Sequence, residues 1–452
     1  MTAAGATPLA AGLLERERAL TAFLDEHGAG LARTCHDLAR SFGRGGLLLA
    51  HGTGGAATDA AHVAVALMHP DGAAERSLPA LAPSSDPTGA ARRARAFRQD
   101  DIALSVTHGP ADLATGEFLD AAARQGALTV ALLGAGGPAP HADHVLTVDS
   151  TDPHVVQEVL ALARHAACDL VHRFFEHPGL LEESCVTCGD IALPGRIVAL
   201  TEHGATADFD GVCEEVACEL IEQVAVGDLL LCHAGVAIER IDTGPEDGPV
   251  PASFLYPFLE RVERDIDVVL GNVCESFAQQ GREALRLQRG LDVTEIERCA
   301  AEIRKRLLAG GRLLSFGNGG SAAGAQDLAG EMLDLGWAAT ALSSDGALLT
   351  AVADDVGFGD VFARQVMALG QSRDVVVALA ADGESPNVVR ALAAAGDRGM
   401  LTCAIGGDGG EQPGRLDGLD HLLSVGSDDV PRAQEAQATL YHLIIEAIGR
   451  PT

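Results

Sequence analysis

Short apolar runs of four to six residues alternate along most of the chain with mixed stretches of ten to fifteen. "LLLA" at 47–50, "IALSV" at 102–106, "LTVALL" at 128–133 and "DHVLTV" from Asp143 read as buried strands, and the stretches between them as amphipathic helices. That alternation predicts a parallel sheet with helices on both faces. The same order returns after residue 300, in "LLSFG", "RDVVVALA", "LTCAIG" and "DHLLSV". A helical lead-in over Phe254–Arg289 and Val293–Ala309 comes before it. The middle differs. From Cys185 to Asp242 the pattern is short, alternating and cut by turns ("GRIVAL", "TADFD", "VCEEVACELI", "GDLLLCHAGVAIERI"). This predicts a small antiparallel barrel of about sixty residues.

The two outer segments match each other. Asp100–Gly134 aligns with Arg373–Gly407, each a strand, loop, helix, "G-x-L-T" and second strand, and His154 onward aligns with Pro431 onward. A shared order of elements, not merely shared composition, marks a duplication. The expected fold class is therefore α/β. Two three-layer αβα domains with parallel sheets, a tandem duplication over 1–178 and 249–452, flank a β-barrel at 179–248. "DTGPEDGPVP", Asp242–Pro251, is the exit linker.

Composition narrows the function. Of 452 residues 47% are hydrophobic and only 4% aromatic, so the cores are aliphatic. A net charge of −32 repels phosphate backbones and anionic membrane surfaces, arguing against nucleic-acid or membrane partners. No apolar run reaches the ~18–20 residues that span a bilayer, and the N-terminal stretch lacks the basic and apolar regions of a signal peptide. The expectation is a cytoplasmic protein. Five of the ten cysteines, Cys185, Cys188, Cys213, Cys218 and Cys232, crowd into the middle segment.

The chemistry gathers at a glycine turn written twice. In "LLSFGNGGSAAGAQDLAGEM", Leu313–Met332, Gly317, Gly319 and Gly320 let the backbone approach a ligand, and Ser321 stands at a helix start where free N–H groups favour an anion. The same glycines would also serve any tight strand–helix junction. With "DDVGFGDVFARQ" (Asp354–Gln365), "SPN" (Ser385–Asn387) and "AQEAQATLYHLIIE" (Ala433–Glu446), the segment resembles the phosphoheptose isomerases of the sugar isomerase (SIS) domain superfamily. The resemblance implies interconversion of sedoheptulose 7-phosphate and a heptose phosphate, with a glutamate and a histidine moving protons beside a zinc ion. It puts the catalytic pair at Glu331 and His442 and the zinc ligands at Asp327, Glu331, Gln434 and His442. Substrate contacts fall on Asn318, Gly319, Gly320, Ser321, Asp354, Asp355, Ser385 and Gln434. Two positions depart from the family: Asp327 replaces a histidine, and the hydroxyl-rich phosphate loop is "AADGES", Ala380–Ser385, with Asp382 and Glu384 adding negative charge.

The fainter copy, "LLLAHGTGGAATDAAHVAVAL" at Leu47–Leu67, keeps His62, Gln157 and His165 at the zinc positions. It has Ala66 for the glutamate, Thr53 for the asparagine and Ala56 for the serine. These are either leftover polar residues of a structural half or parts of a built-in partner. In the second case the two SIS halves form an internal pseudo-dimer, and a further homo-oligomer remains open.

The middle segment, "CVTCGDIALPGRIV" with "VAVGDLLLCHAGVAIERID", resembles the small hydrogenase maturation chaperones of the HypC/HupF type. That implies assembly of an iron centre carrying cyanide and carbon monoxide with a maturation scaffold protein, and its delivery to the large subunit of a nickel–iron hydrogenase. Cys188 carries the family's essential cysteine and His233 its assisting histidine, with Cys185 as the alternative thiol. A thiolate suits low-spin iron. Cys185-x-x-Cys188 could also be half of a zinc site, and Cys213, Cys218 and Cys232 small apolar core residues. On these resemblances the chain is a hydrogenase maturation factor whose SIS domains bind a sugar phosphate or related small anion. The alternative is a zinc-dependent sugar-phosphate isomerase carrying a chaperone module.

Overall fold

The computed structural model describes residues 8–70, 76–82, 87–177, 180–181, 193–201, 204–209, 212–218, 221, 224–233, 236–240, 257–381, 385–406 and 418–450. They form two compact units: Met1–Glu176 together with Leu270–Thr452, and His177–Val269. The two duplicated halves thus make one body.

In the first half a long helix α1 (Pro8–Gly43) leads into β1 (Leu48–Gly52), α2 (Ala56–Met68), β2 (Ala80–Leu81), α3 (Pro87–Ala94), β3 (Ile102–Val106), α4 (Leu113–Ala123), β4 (Leu128–Gly134), β5 (His144–Val148) and α5 (Pro153–Phe175). The sheet is parallel in the order β2-β1-β3-β4-β5. Every residue of β1 and β3 is buried, which is why these strands read as largely apolar runs without polar alternation, His51 and Ser105 being their buried polar members.

The middle unit holds β6 (Leu193–Thr201), β7 (Gly204–Phe209), β8 (Val212–Val216), β9 (Leu229–His233) and β10 (Val236–Arg240). They pair antiparallel in the order β10-β9-β6-β7-β8. The Ala237 N–H, in β10, donates to Ala217 O just past β8 at 2.8 Å and draws the two ends together into a barrel. Ile197, Ala205, Ala207, Val216, Leu230, Cys232 and Ala237 fill it. Of the cysteines expected in that core, Cys232 is buried and Cys218 packs against it, but Cys213 is exposed. β8 stops at Val216, so Cys213 and Cys218 do not share a strand.

The second half runs α6 (Pro257–Arg289), α7 (Val293–Leu308), β11 (Leu313–Gly317), α8 (Gly319–Asp334), β12 (Ala339–Ala341), α9 (Gly346–Asp355), α10 (Val361–Leu369), β13 (Val375–Ala380), α11 (Pro386–Asp397), β14 (Leu401–Gly406), β15 (His421–Ser424) and α12 (Val430–Ile448). Its parallel sheet, β12-β11-β13-β14-β15, repeats the first half's order. Strand residues alternate between two cores, as period-2 geometry requires. Leu313, Val375, Val377 and Ile405 face α7, α8 and α12, while Leu314, Phe316, Val376 and Ala378 face α10 and α11.

The sequence matches between the halves are structural fasteners. Thr129 donates its amide and hydroxyl to Asp143 Oδ2 at 2.8 and 2.7 Å, and Thr402 does the same to Asp420 Oδ2, at 2.9 Å for both. Asp101 accepts the Leu47 and Arg98 amides, as Asp374 accepts those of Arg312 and Gln371. These bonds satisfy strand-end amides at equivalent places in each sheet. The two halves meet through α2, α5, α8 and α12.

Candidate functional site

Open sheets of this strand order bind ligands outside the carboxyl ends of the strands where the order reverses, here between β11 and β13. β11 ends at Gly317 and β13 at Ala380, and beside them opens a cleft of about 900 Å³ lined in part by Asn318–Ser321 and Ser385. Gly319 adopts φ +53°, which glycine takes without penalty. Asn318 and Asn387 exchange two amide hydrogen bonds of 2.9 and 2.8 Å that brace the turn. α8 starts without a side-chain capping bond, so its first N–H groups can meet an anion. The Ser321 hydroxyl donates to Gln437 Oε1 at 3.0 Å and ties α8 to α12.

The facing wall comes from the first half. His62 of α2 and His165 of α5 line the same cleft, with their Nε2 atoms 3.2 Å apart. A Cβ on Gly320 would fall 2.2 Å from His62 Nε2 and 2.5 Å from Gln434 Oε1, so a larger residue would drive the halves apart here. His62, His165 and Gln434 therefore converge over the glycine turn, joined by Ala66, one helical turn beyond His62.

The converse grouping forms around Glu331. His442 Nε2 lies 3.8 Å from Asp327 Oδ2 and 3.9 Å from Glu331 Oε1. Gln157 of the first half donates Nε2 to Asp327 Oδ2 at 2.8 Å, and the Tyr441 hydroxyl donates to the same oxygen at 2.8 Å. The turn facing this group also belongs to the first half, since a Cβ on Gly55 would lie 3.1 Å from Asp327 Oδ1. The expected set of Asp327, Glu331, Gln434 and His442 is thus not assembled from one half. Gln434 lines a small cavity with Asp327, His62 and Gln157, while His442 lies about two turns further along α12, beside Asp327 and Glu331, so each half contributes a glutamine to the other's group. The glycine turn of the second half serves the histidines of the first.

The two groups differ electrically. His62 and His165 are buried, and burial with Arg164 nearby holds both rings well below the usual histidine range, so both are neutral. His165 Nδ1 meets Glu435 Oε1 at 2.9 Å, and burial pushes the Glu435 carboxyl up to about 7 although Arg432 sits at 2.6 Å. Around Glu331 charge prevails. Glu158 of the first half meets Arg16 Nε at 2.9 Å and His442 Nδ1 at 2.8 Å. Burial would raise its carboxyl, but these cations hold it at about 2. His154 bridges Glu331 Oε2 at 2.9 Å and Glu446 Oε1 at 3.1 Å. Against the cost of burial, the carboxylates raise His154 to about 10, and Asp327 and Glu158 raise His442 to about 9.

Two observations bear on a metal. His442 Nε2 and Gln157 Oε1 are buried without a hydrogen-bond partner, and His154, Glu331 and His442 place ligand atoms within 4.8 Å of one another. Imidazole nitrogen with carboxylate and amide oxygen is a donor set that zinc accepts. The first half's own turn is closed by internal pairs, Asp59 with Arg164 and His108 and Thr53 with Asp112.

Of the other expected residues, Asp354 and Asp355 end α9 on the surface and are absent from the cleft lining. Asp382, Glu384, Cys185 and Cys188 lie outside the described residues. His233 ends β9 and pairs with Val236 across the hairpin. The neighbouring Cys232 thiol is pushed up to about 11 by burial, which makes it a packing residue and not a nucleophile. Sequence reading missed Arg16 and His154, which belong to no motif, and Glu158. The signals were that His154 and Glu158 flank Gln157 and that Gln157-Glu158 repeats as Gln434-Glu435.

The HupF/HypC family matches residues 191–245, and the SIS domain matches residues 276–407. The phosphoheptose isomerase of Thermodesulfovibrio yellowstonii is 38% identical over 163 residues, covering 35% of this chain and 80% of the relative. That of Bradyrhizobium sp. strain BTAi1 is 39% identical over 188 residues, covering 40% and 92%. Among solved structures, the C-terminal domain of glucosamine-fructose-6-phosphate aminotransferase from Francisella tularensis matches 97% of this chain and 96% of its own, with a TM-score of 0.51 at 10% identity. That last similarity speaks for the fold alone.

Proposed function

Since the chain belongs to the phosphoheptose isomerase family through its second half and carries a HupF/HypC segment at its centre, we propose that it is a hydrogenase maturation protein whose SIS pair binds a sugar phosphate or related small anion without isomerising it. The observation that carries the binding reading is Ala66. In the cleft served by the better preserved glycine turn, the lining residue where the family has its glutamate is an alanine, which moves no proton. Glu331, which could, stands in the other group with its carboxylate paired to His154. The HupF/HypC segment, with Cys188 and His233, assists assembly of the iron centre and its delivery to the hydrogenase large subunit.

Anaerobic affinity purification from the host tests the maturation role. Wild type should recover a maturation scaffold or large subunit together with iron, and Cys188→Ala should lose both. Recovery unchanged by the substitution would remove the chaperone assignment. Calorimetry with sedoheptulose 7-phosphate, alongside a turnover assay, tests binding without catalysis.

The second reading is a working isomerase, favoured by the orphaned His442 Nε2 between Asp327 and Glu331. In it Asp327, Glu331, His442 and Gln157 hold zinc, which polarises a sugar carbonyl when bound. Zinc-dependent turnover abolished by Glu331→Ala would establish that reading over the first.

A further inference from the structure

Four carboxylates, those of Glu158, Asp327, Glu331 and Glu446, gather around His154 and His442, and Arg16 is the one arginine paired into the group among the described residues. Glu158 and Asp327 are buried while Glu331 and Glu446 are 20% and 29% exposed, so the cluster concentrates carboxylate oxygens at the edge of the buried region, where a cation can reach them. We propose that His154, contributed by the first half, is a ligand to a zinc-like divalent cation held with Glu331 and His442. The inference rests on the reading of this group as a cation site, and in that site His154, a residue the family motif does not contain, takes the place of Asp327 and Gln157. The equivalent position in the second half is Pro431, so the cleft beside His62 has no counterpart.

The geometry is that of a ligand shell. Zinc bonds of about 2.0–2.2 Å in a tetrahedron set neighbouring ligand atoms about 3.3–3.6 Å apart. Here Glu331 Oε2 is 2.9 Å from His154 Nε2, and Glu331 Oε1 is 3.9 Å from His442 Nε2, values on either side of that spacing. Each ring directs its Nε2 to one oxygen of Glu331, but the rings stack with centroids 4.4 Å apart and planes within 6°, so one of them rotates out of the stack when both nitrogens meet one ion. His442 Nε2, wholly buried, has no hydrogen bond to give up when it turns to an ion. Asp327 Oδ2 already accepts from Tyr441 and Gln157. Three protein ligands then leave a position open, as in zinc sites that accept a further ligand.

The test loads the full chain, stripped with chelator, with Co²⁺ as a spectroscopic probe, in a Cys185→Ala/Cys188→Ala background that removes competing thiolates. Cobalt content and visible absorption are compared for that parent, His154→Ala, His154→Gln, Glu331→Gln and His62→Ala. Melting followed by Trp337 fluorescence checks that each variant is folded. The expected result is one equivalent of cobalt lost from both His154 variants and from Glu331→Gln, with affinity at least about 100-fold weaker. His62→Ala should leave that equivalent in place. If the His154 variants bind cobalt as the parent does while Glu331→Gln loses it, the cation reading stands and His154 is not a ligand. Cobalt absent from the parent, or unchanged in Glu331→Gln, overturns both.

Discussion

Glu158 is the buried charge on which the contact between the halves turns. Its carboxylate, 2% exposed, accepts from Arg16 Nε at 2.9 and 3.0 Å, from the Thr439 hydroxyl at 2.6 Å, and lies 2.8 Å from His442 Nδ1. Two of these partners belong to the second half. Holding the carboxyl at about 2 instead of 4.5 corresponds to about 3 kcal/mol of stability at neutral pH. Glu158→Gln keeps the shape and removes the charge. Arg16 retains Glu446 at 2.6 Å, so the cost falls at the low end of the ~3–5 kcal/mol for breaking a buried pair, again about 3 kcal/mol. Trp337 is the single tryptophan and donates to Gly449 O at 2.7 Å just past the end of α12, so its fluorescence reports on this body of the protein. Urea unfolding at pH 7 should show a midpoint lower by about 1 M or more. Because the folded carboxyl is depressed, its contribution is present above the unfolded value of 4.5 and disappears as pH falls toward 2. The gap between wild type and variant should therefore close over that window. A gap below about 1 kcal/mol at pH 7, or one that persists unchanged to pH 2, would refute the reasoning.

Gly320→Ala places a Cβ 2.2 Å from His62 Nε2, so it should destabilise the protein by about 1–3 kcal/mol and weaken anion binding in the cleft, read by thermal melting and calorimetry. His154 and His442 are raised, to about 10 and about 9, so their ion pairs stabilise fully below pH 6.5 and are lost as pH rises through 9 to 10. Melting temperatures from pH 6 to 10 should fall less steeply for His154→Gln than for wild type. In a Cys185→Ala/Cys188→Ala background, a thiol reagent should label exposed Cys213 in the native protein, while buried Cys35, Cys168, Cys299 and Cys403 react only on unfolding. Rapid labelling of all of them at the outset would contradict the packing described.

Much of the fold was legible because strand and helix periods are local properties. The pairing of "DDIAL" with "RDVVV" and of "GALT" with "GMLT" marked the duplication, and the structure supplies the reason: Asp101 and Asp374 bind strand-end amides, and Thr129 and Thr402 bind Asp143 and Asp420. The membership of the candidate site was legible only in part. Spacing along α12 puts Gln434 and His442 on one helix face but does not say which half each one meets. That depends on how α2, α5, α8 and α12 pack, a non-local fact. Arg16 and His154 were invisible for the same reason, whereas Glu158 had a repeat to mark it: it aligns with Glu435, and each of the two carboxylates meets Nδ1 of the other half's histidine, Glu158 that of His442 and Glu435 that of His165. Cys213 was placed in the core by composition, and its exposure reflects its side of an outer strand.

The exchange of Gln157 and Gln434 has a consequence for how such a protein can change. In a symmetric pair of identical chains every substitution is made twice, once in each site, and a lost glutamate is lost everywhere. Covalent linkage of the two copies breaks that constraint. An alanine at 66 empties one site of its acid while Glu331 survives in the other, so one pocket is free to drift toward recognition and its twin toward holding charge. Each pocket still borrows a side chain from across the seam, so neither copy can be discarded without maiming both.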